Sequence, residues 1–156
     1  MRLEYFELVD RIATLDVAGG TVAAECALPQ ASPVFEGHFP GHPILPGVLM
    51  IEAMAQTGGW LVMARLGFRQ MAFLASVKEA KMRRFLVPGQ KIRVEATLLH
   101  EGSGYAVASA RILADGRVAD AEMTYRVLDF PNADLRAGML KAAARVAVPA
   151  ELLPDA

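Results

Sequence analysis

Apolar and polar positions divide the chain into short runs of strand character around one long apolar stretch. Residues 8–16 and 21–28 read as two short strands, joined by Gly19-Gly20, a pair that supplies the positive φ of a hairpin turn. Residues 29–47 hold five of the nine prolines (Pro29, Pro33, Pro40, Pro43, Pro46) and three glycines, a density that no helix or central strand tolerates. The spacing predicts a stiff, specifically shaped loop. Residues 48–66 then read as a helix, with Pro46 suited to its first position and Gly67 able to close it in a left-handed cap. Only Glu52, Gln56 and Thr57 are polar between Val48 and Ala64, and a helix apolar on nearly every side belongs inside a protein or a membrane. Glu52, Gln56, Gly58-Gly59 and Arg65 argue against lipid, so the expectation is a buried helix of a soluble protein.

Beyond the helix, residues 73–77 read as a strand, and Ile92, Val94, Ala96 and Leu98 alternate with Lys91, Arg93, Glu95 and Thr97 as a half-buried strand does. Residues 105–113 and 118–127 continue in the same style, bounded by Gly102-Ser103-Gly104 and Asp115-Gly116. Two strands, one long buried helix, then about four antiparallel strands in a meander predict an α+β domain, a sheet of about six strands wrapped around one helix. In the tail, residues 131–156, Asn132 can cap a helix over 133–146 with Leu135, Met139, Leu140 and Ala143 on one stripe. That helix is expected to pack across the outside of the main domain, residues 1–130, and no chemistry is assigned to it.

Composition narrows the picture. A chain of 156 residues fits one domain. Its apolar fraction of 54% exceeds the usual share of about 45–50%, and its charged fraction is 21%, which points to surface covered by self-association. Sixteen basic against seventeen acidic residues, net charge -1, announce neither nucleic acid nor an anionic membrane. Charges at positions 2, 4, 7, 10 and 11 and the lack of an apolar run exclude a signal peptide at the start, so the cytoplasm is the expected location. Cys26 alone can make no intrachain disulfide and reads as a small buried apolar residue rather than a nucleophile.

Glu52 is the most informative residue, since carboxylates are rarely buried unpaired and no cation lies within a turn of it. Its alternative is a carboxylate near a helix start, favoured by the helix dipole and pointing to water; the apolar residues around it favour a functional role. Gln56, one turn on, either bonds that carboxylate or caps a loop carbonyl elsewhere. His38 sits in Gly-His-Phe-Pro-Gly-His-Pro-Ile-Leu-Pro-Gly, whose rigid backbone can hold an imidazole in place; His42 is its rival. Two histidines four apart also raise a metal site, but no cysteine is near and Glu36 is the only acid close by, so no metal is expected. Gly47, nine residues after His38 and five before Glu52, presents a backbone N–H at the positive end of the helix dipole, where an oxyanion could sit.

The stretch from Phe35-Glu-Gly-His38 through Pro46-Gly to Glu52-Ala-Met-Ala-Gln56 closely resembles the signature of the (3R)-hydroxyacyl-acyl-carrier-protein dehydratases of the FabZ type. The likeness continues through residues 73–84 and Val87-Pro88-Gly89 and covers roughly residues 8–128. It implies a hot-dog fold and a dehydratase that forms the trans-2-enoyl thioester, with His38 and Glu52 as catalytic pair and the Gly47 amide on the thioester carbonyl. Gln56 takes the place of the glutamine behind the acid. No cofactor is implied. The implied partners are acyl carrier protein, bearing the 3-hydroxyacyl group on phosphopantetheine, and a second copy of the chain, with His38 and Glu52 of one site from different subunits; three such dimers are compatible with the resemblance.

In the sister family that also isomerises the double bond the acid is Asp, so Glu52 implies dehydration only. The start, Leu3-Glu-Tyr-Phe-Glu-Leu8, departs from the family's Pro-His-Arg-Tyr-Pro-Phe-Leu-like stretch and is similar to a bacterial branch associated with very-long-chain acyl groups for lipid A. Gln90 stands where the family usually has Asp. Lys78, Lys81, Arg83 and Arg84 form a cation cluster that could dock an acidic carrier or be a solvated strand face. The competing activities are a hot-dog thioesterase, with the carboxylate aimed at the carbonyl carbon or a water, and a non-catalytic acyl-binding protein.

Overall fold

A computed structural model of the chain describes residues 1–154. A hairpin of β1 (Arg11–Asp16) and β2 (Thr21–Ala27) leads through a loop and a short helix α1 (Pro33–Gly37) into the long helix α2 (Gly47–Arg65). Strands β3 (Gln70–Met82), β4 (Lys91–Gly102), β5 (Tyr105–Leu113) and β6 (Arg117–Asp129) follow, then helix α3 (Ala133–Arg145). The six strands form one antiparallel sheet in the order β1-β2-β4-β5-β6-β3, curled around α2 in the hot-dog arrangement.

The inward positions explain how a bulky helix fits inside so small a sheet. Period-two alternation turns Ala96 of β4, Ala106, Ala108 and Ala110 of β5 and Ala119 and Ala121 of β6 inward, all buried. These small side chains leave room for Met50, Met54, Trp60 and Leu61 of α2 at the density of a close-packed core. At one point the approach is closer still. Tyr125 of β6 is 1% exposed, and a Cβ on Gly58 would lie 2.4 Å from its hydroxyl oxygen, so only glycine fits there. The end of α2 follows the left-handed pattern expected of Gly67, which has φ 58: its N–H donates to Ala64 and the Phe68 N–H to Met63, satisfying the last-turn carbonyls.

Four features differ from the sequence-based expectation. The proline-rich stretch contains a helix after all, because Pro33 occupies its first turn, where the missing N–H costs nothing, and Ser32 caps it by accepting from the Val34 N–H. Strand β3 is 13 residues long, prolonged past Val77 by register shifts that include Glu79 at φ 50. It also does not begin a meander: it crosses to the far edge and pairs with β6, leaving its other side without a partner strand. Finally, α2 is not covered on every side. Val48 is 70% exposed, and Ile51, Glu52 and Gln56 are half-buried, because the sheet curls past the helix without enclosing the face of its first turns. This helix is long and apolar enough to cross a membrane, yet 72% of its apolar window lies inside the protein. Cys26 is buried, and burial pushes its thiol up to about 11, well away from the reactive thiolate range.

Candidate active site

The rigid loop delivers His38 to the start of α2. The His38 N–H closes α1 on the Val34 carbonyl at 3.0 Å, its own carbonyl accepts from Ile44 N–H at 2.9 Å, and the following peptide to Phe39 is cis. The imidazole stacks on the Phe39 ring with centroids 4.1 Å apart. Its Nδ1 lies 3.0 Å from the Ile44 carbonyl, which can only accept, so in the neutral ring the proton sits on Nδ1 and Nε2 has the lone pair of a base. His38 and Gly47 line the same cavity, about 250 Å³, together with Met50, Met82, Arg83, Arg84 and Phe85. Pro46 precedes the helix with extended ψ and no side-chain cap, and its carbonyl accepts from Leu49 and Met50. The Gly47 and Val48 N–H groups have no acceptor among the described residues, at the positive end of the α2 dipole.

Glu52 lies around the helix from this cavity. Met50 lines the first cavity and Glu52 a second one of about 310 Å³; two residues of helix turn the face by about 200°. The two cavities have no lining residue in common, so one chain does not bring His38 and Glu52 to the same opening. Gln56 holds the carboxylate in both ways open to it. Its Nε2 donates to Glu52 Oε1 at 2.9 Å and to the Phe6 carbonyl at 2.7 Å, while its Oε1 accepts from Leu8 N–H at 3.1 Å. The N-terminal segment is thereby tied to the acid through a fully used amide.

Tyr125 lines the Glu52 cavity and is the neighbour that sequence reasoning missed. Its hydroxyl donates to the Ala55 carbonyl at 3.0 Å, and its pKa is raised first by burial and then by the charge of Glu52. It therefore stays a neutral donor. Its inward register on β6 reads as ordinary core; the signal that could have found it is Gly58-Gly59, a gap in an apolar helix that invites a large neighbour.

The four cations of the cluster separate by role. Arg83 Nε and Nη2 donate to Asp120 at 2.9 and 2.7 Å, and Arg84 donates to the carbonyls of Asp115, at 3.1 Å, and Ala114. Lys78 and Lys81 are exposed on β3 and have no carboxylate partner among the described residues. Among those residues no three His, Cys, Asp or Glu side chains gather as metal ligands.

The pattern of the FabA-like domain matches residues 2–122, which include His38, Gly47, Glu52 and Gln56. The chain belongs to the FabA-like family. Among FabA-like relatives, a 3-hydroxyacyl-[acyl-carrier-protein] dehydratase FabZ of Bartonella quintana is 36% identical over 127 residues, 80% of this chain and 81% of the relative. That of Pelotomaculum thermopropionicum is 41% identical over 125 residues, 78% and 88% of the two chains. Solved structures share the fold at lower identity. A conserved protein of Pseudomonas aeruginosa superposes with a TM-score of 0.62 at 22% identity, covering 80% of this chain and 91% of its own. A thioesterase of Haemophilus influenzae superposes at 0.59 and 14%, covering 78% and 80%.

Proposed function

We propose that this FabA-like protein removes water from a (3R)-hydroxyacyl thioester carried on acyl carrier protein, at active sites shared between two copies of the chain. The observation that carries the reading is His38 beside the free N–H of Gly47: a base and an oxygen-binding donor in one cavity. The FabZ dehydratases, more than a third identical over some four-fifths of this chain, support the same chemistry. His38 Nε2 takes the proton next to the thioester carbonyl, the Gly47 N–H holds the oxygen as charge grows on it, and Glu52 gives its proton to the 3-hydroxyl. The C–O bond breaks as the carbon–carbon double bond forms, water leaves, and the thioester stays intact. Gln56 fixes the rotamer of Glu52 throughout. His38 and Glu52 return to their starting protonation states through solvent.

Because one chain separates His38 from Glu52, the acid is supplied by a second copy. The free side of β3 supports that assembly: it is an unpaired edge with Phe73 and Leu74 well exposed, the kind of edge that pairs with another strand. We assign the protein to the cytoplasm, where a dehydratase of carrier-linked acyl groups would meet its substrate.

The test of the activity is the product. Incubation with (3R)-hydroxyacyl carrier protein yields enoyl thioester absorbance without free thiol; free thiol without enoyl product would make the protein a thioesterase, and binding without either product an acyl-binding protein. Carrier docking is assigned to Lys78 and Lys81, whose charges are not used within the chain, near the mouth lined by Arg83 and Arg84. Reversing both lysines to Glu raises KM for carrier-linked substrate several-fold and flattens its salt dependence, while turnover of a small pantetheine thioester is unchanged. Equal losses on both substrates would remove these lysines from docking.

A further inference from the structure

We infer that α3, which follows the FabA-like domain, is the outer wall of the acyl channel, and that Met139 sets how long an acyl chain the channel admits. The inference rests on the dehydratase reading, because the occupant is the acyl tail of the same substrate. The cavity beside Glu52 continues along one stripe of α2, through Ala55, Gly59 and Trp60 to Met63. The rise from Glu52 to Met63 is about 16 Å at 1.5 Å per residue. Three trans bonds of an extended chain span about 3.8 Å, so the stripe accompanies about 13 bonds of an acyl tail. Ala72, Leu74 and Tyr125 close one side of this path, and Met139, Ala142 and Val146 close the other.

The direction of α3 follows from its bonds. Its first turn is held beside the end of α2, where Arg136 Nε donates to the Phe68 carbonyl at 3.1 Å. Its last turn is held beside Gln56: Arg145 pairs with Glu7, and the residues on either side of Glu7 are the two that bond the Gln56 amide. The Ile12 N–H also donates to the Val146 carbonyl at 2.7 Å. Thus α3 runs antiparallel along the stripe, and Met139, one turn from Arg136, stands at the Met63 end, farthest from Glu52. The wall is anchored, with Ala143, Val146 and Val148 buried in the core and the Arg145 guanidinium holding the Glu7 carboxyl below the usual carboxylate range. All of its α3 residues lie beyond the matched residues 2–122, so the length limit belongs to this chain's tail rather than to the family pattern. A methionine, unbranched and adaptable, closes such an end without leaving a gap.

The experiment measures turnover and binding across acyl lengths. Met139→Trp lowers kcat/KM for long (3R)-hydroxyacyl carrier substrates by about 10-fold or more, the scale of discrimination that pocket size achieves, and leaves the shortest substrate as before. Met139→Ala moves the preferred length upward, and Met139→Leu keeps the original profile. Calorimetric binding of acyl-pantetheine thioethers of graded length gives the same shifts without turnover, so the channel is read independently of catalysis. Effects equal at every length, or unchanged profiles in both Met139→Trp and Met139→Ala, overturn the inference; should Met139→Trp not fold, Met139→Ala alone decides. Failure of the wild-type protein to form enoyl product at any length overturns the dehydratase reading instead, and leaves the binding profile to judge the wall.

Discussion

Replacing His38 by Ala, or Glu52 by Gln, lowers dehydration by about 100-fold or more, the usual worth of a general base or acid. The two variants remove different groups with little collateral damage. Glu52→Gln keeps the shape of the side chain and an oxygen for the Gln56 Nε2, now at 2.9 Å from Oε1, so the clamp on the N-terminal segment survives. His38→Ala loses one part-buried hydrogen bond, to the Ile44 carbonyl, worth about 1 kcal/mol. For a domain near this size that moves the midpoint of thermal unfolding by only about 2–4 °C. Loss of turnover with an almost unmoved melting curve therefore identifies chemistry rather than folding. Near-normal dehydration by His38→Ala would overturn the assignment of the base.

Mixing the two inactive proteins restores activity. If His38 and Glu52 of a site come from different chains, a dimer of one His38→Ala and one Glu52→Gln subunit contains one site with both defects and one with neither. With random pairing, half the dimers are mixed and half of their sites intact, so roughly a quarter of wild-type activity returns in a twofold assembly. The rise over either parent is at least tenfold and is read by the same enoyl assay after subunit exchange. The geometric reason is the rotation of about 200° between Met50, on the His38 side of α2, and Glu52. No recovery in verified mixed dimers would mean that the chain rearranges to bring both residues together by itself.

Much of the architecture was legible because its signals are local. Alternation along residues 91–98 and 105–113 marks half-buried strands whatever they pair with, and Gly67, Asp115-Gly116 and Gly104 supply positive φ where the chain needs it. The candidates His38, Gly47, Glu52 and Gln56 were legible for a related reason: they lie within 19 residues of one loop and helix, where rigid punctuation and a lone carboxylate are visible without any long-range contact. What escaped is long-range. Tyr125 meets α2 across 70 residues of sequence, and Phe6 and Leu8 reach Gln56 across about 50. Strand β3 reads as the next strand of a meander, yet it crosses to the far edge because β6, not β4, offers it a partner.

The sequence by itself determined where most strands lie, that a single apolar helix lies at the centre, and which side chains are candidates for the chemistry, since propensity, period and polarity are properties of each segment alone. Only the tertiary structure decided that His38 and Glu52 face different openings, that the first turns of α2 lie uncovered, and that α3 lines the cavity beside Glu52. Those outcomes depend on how far the sheet curls around the helix and on which edge remains unpaired, and both follow from contacts between residues far apart in the chain.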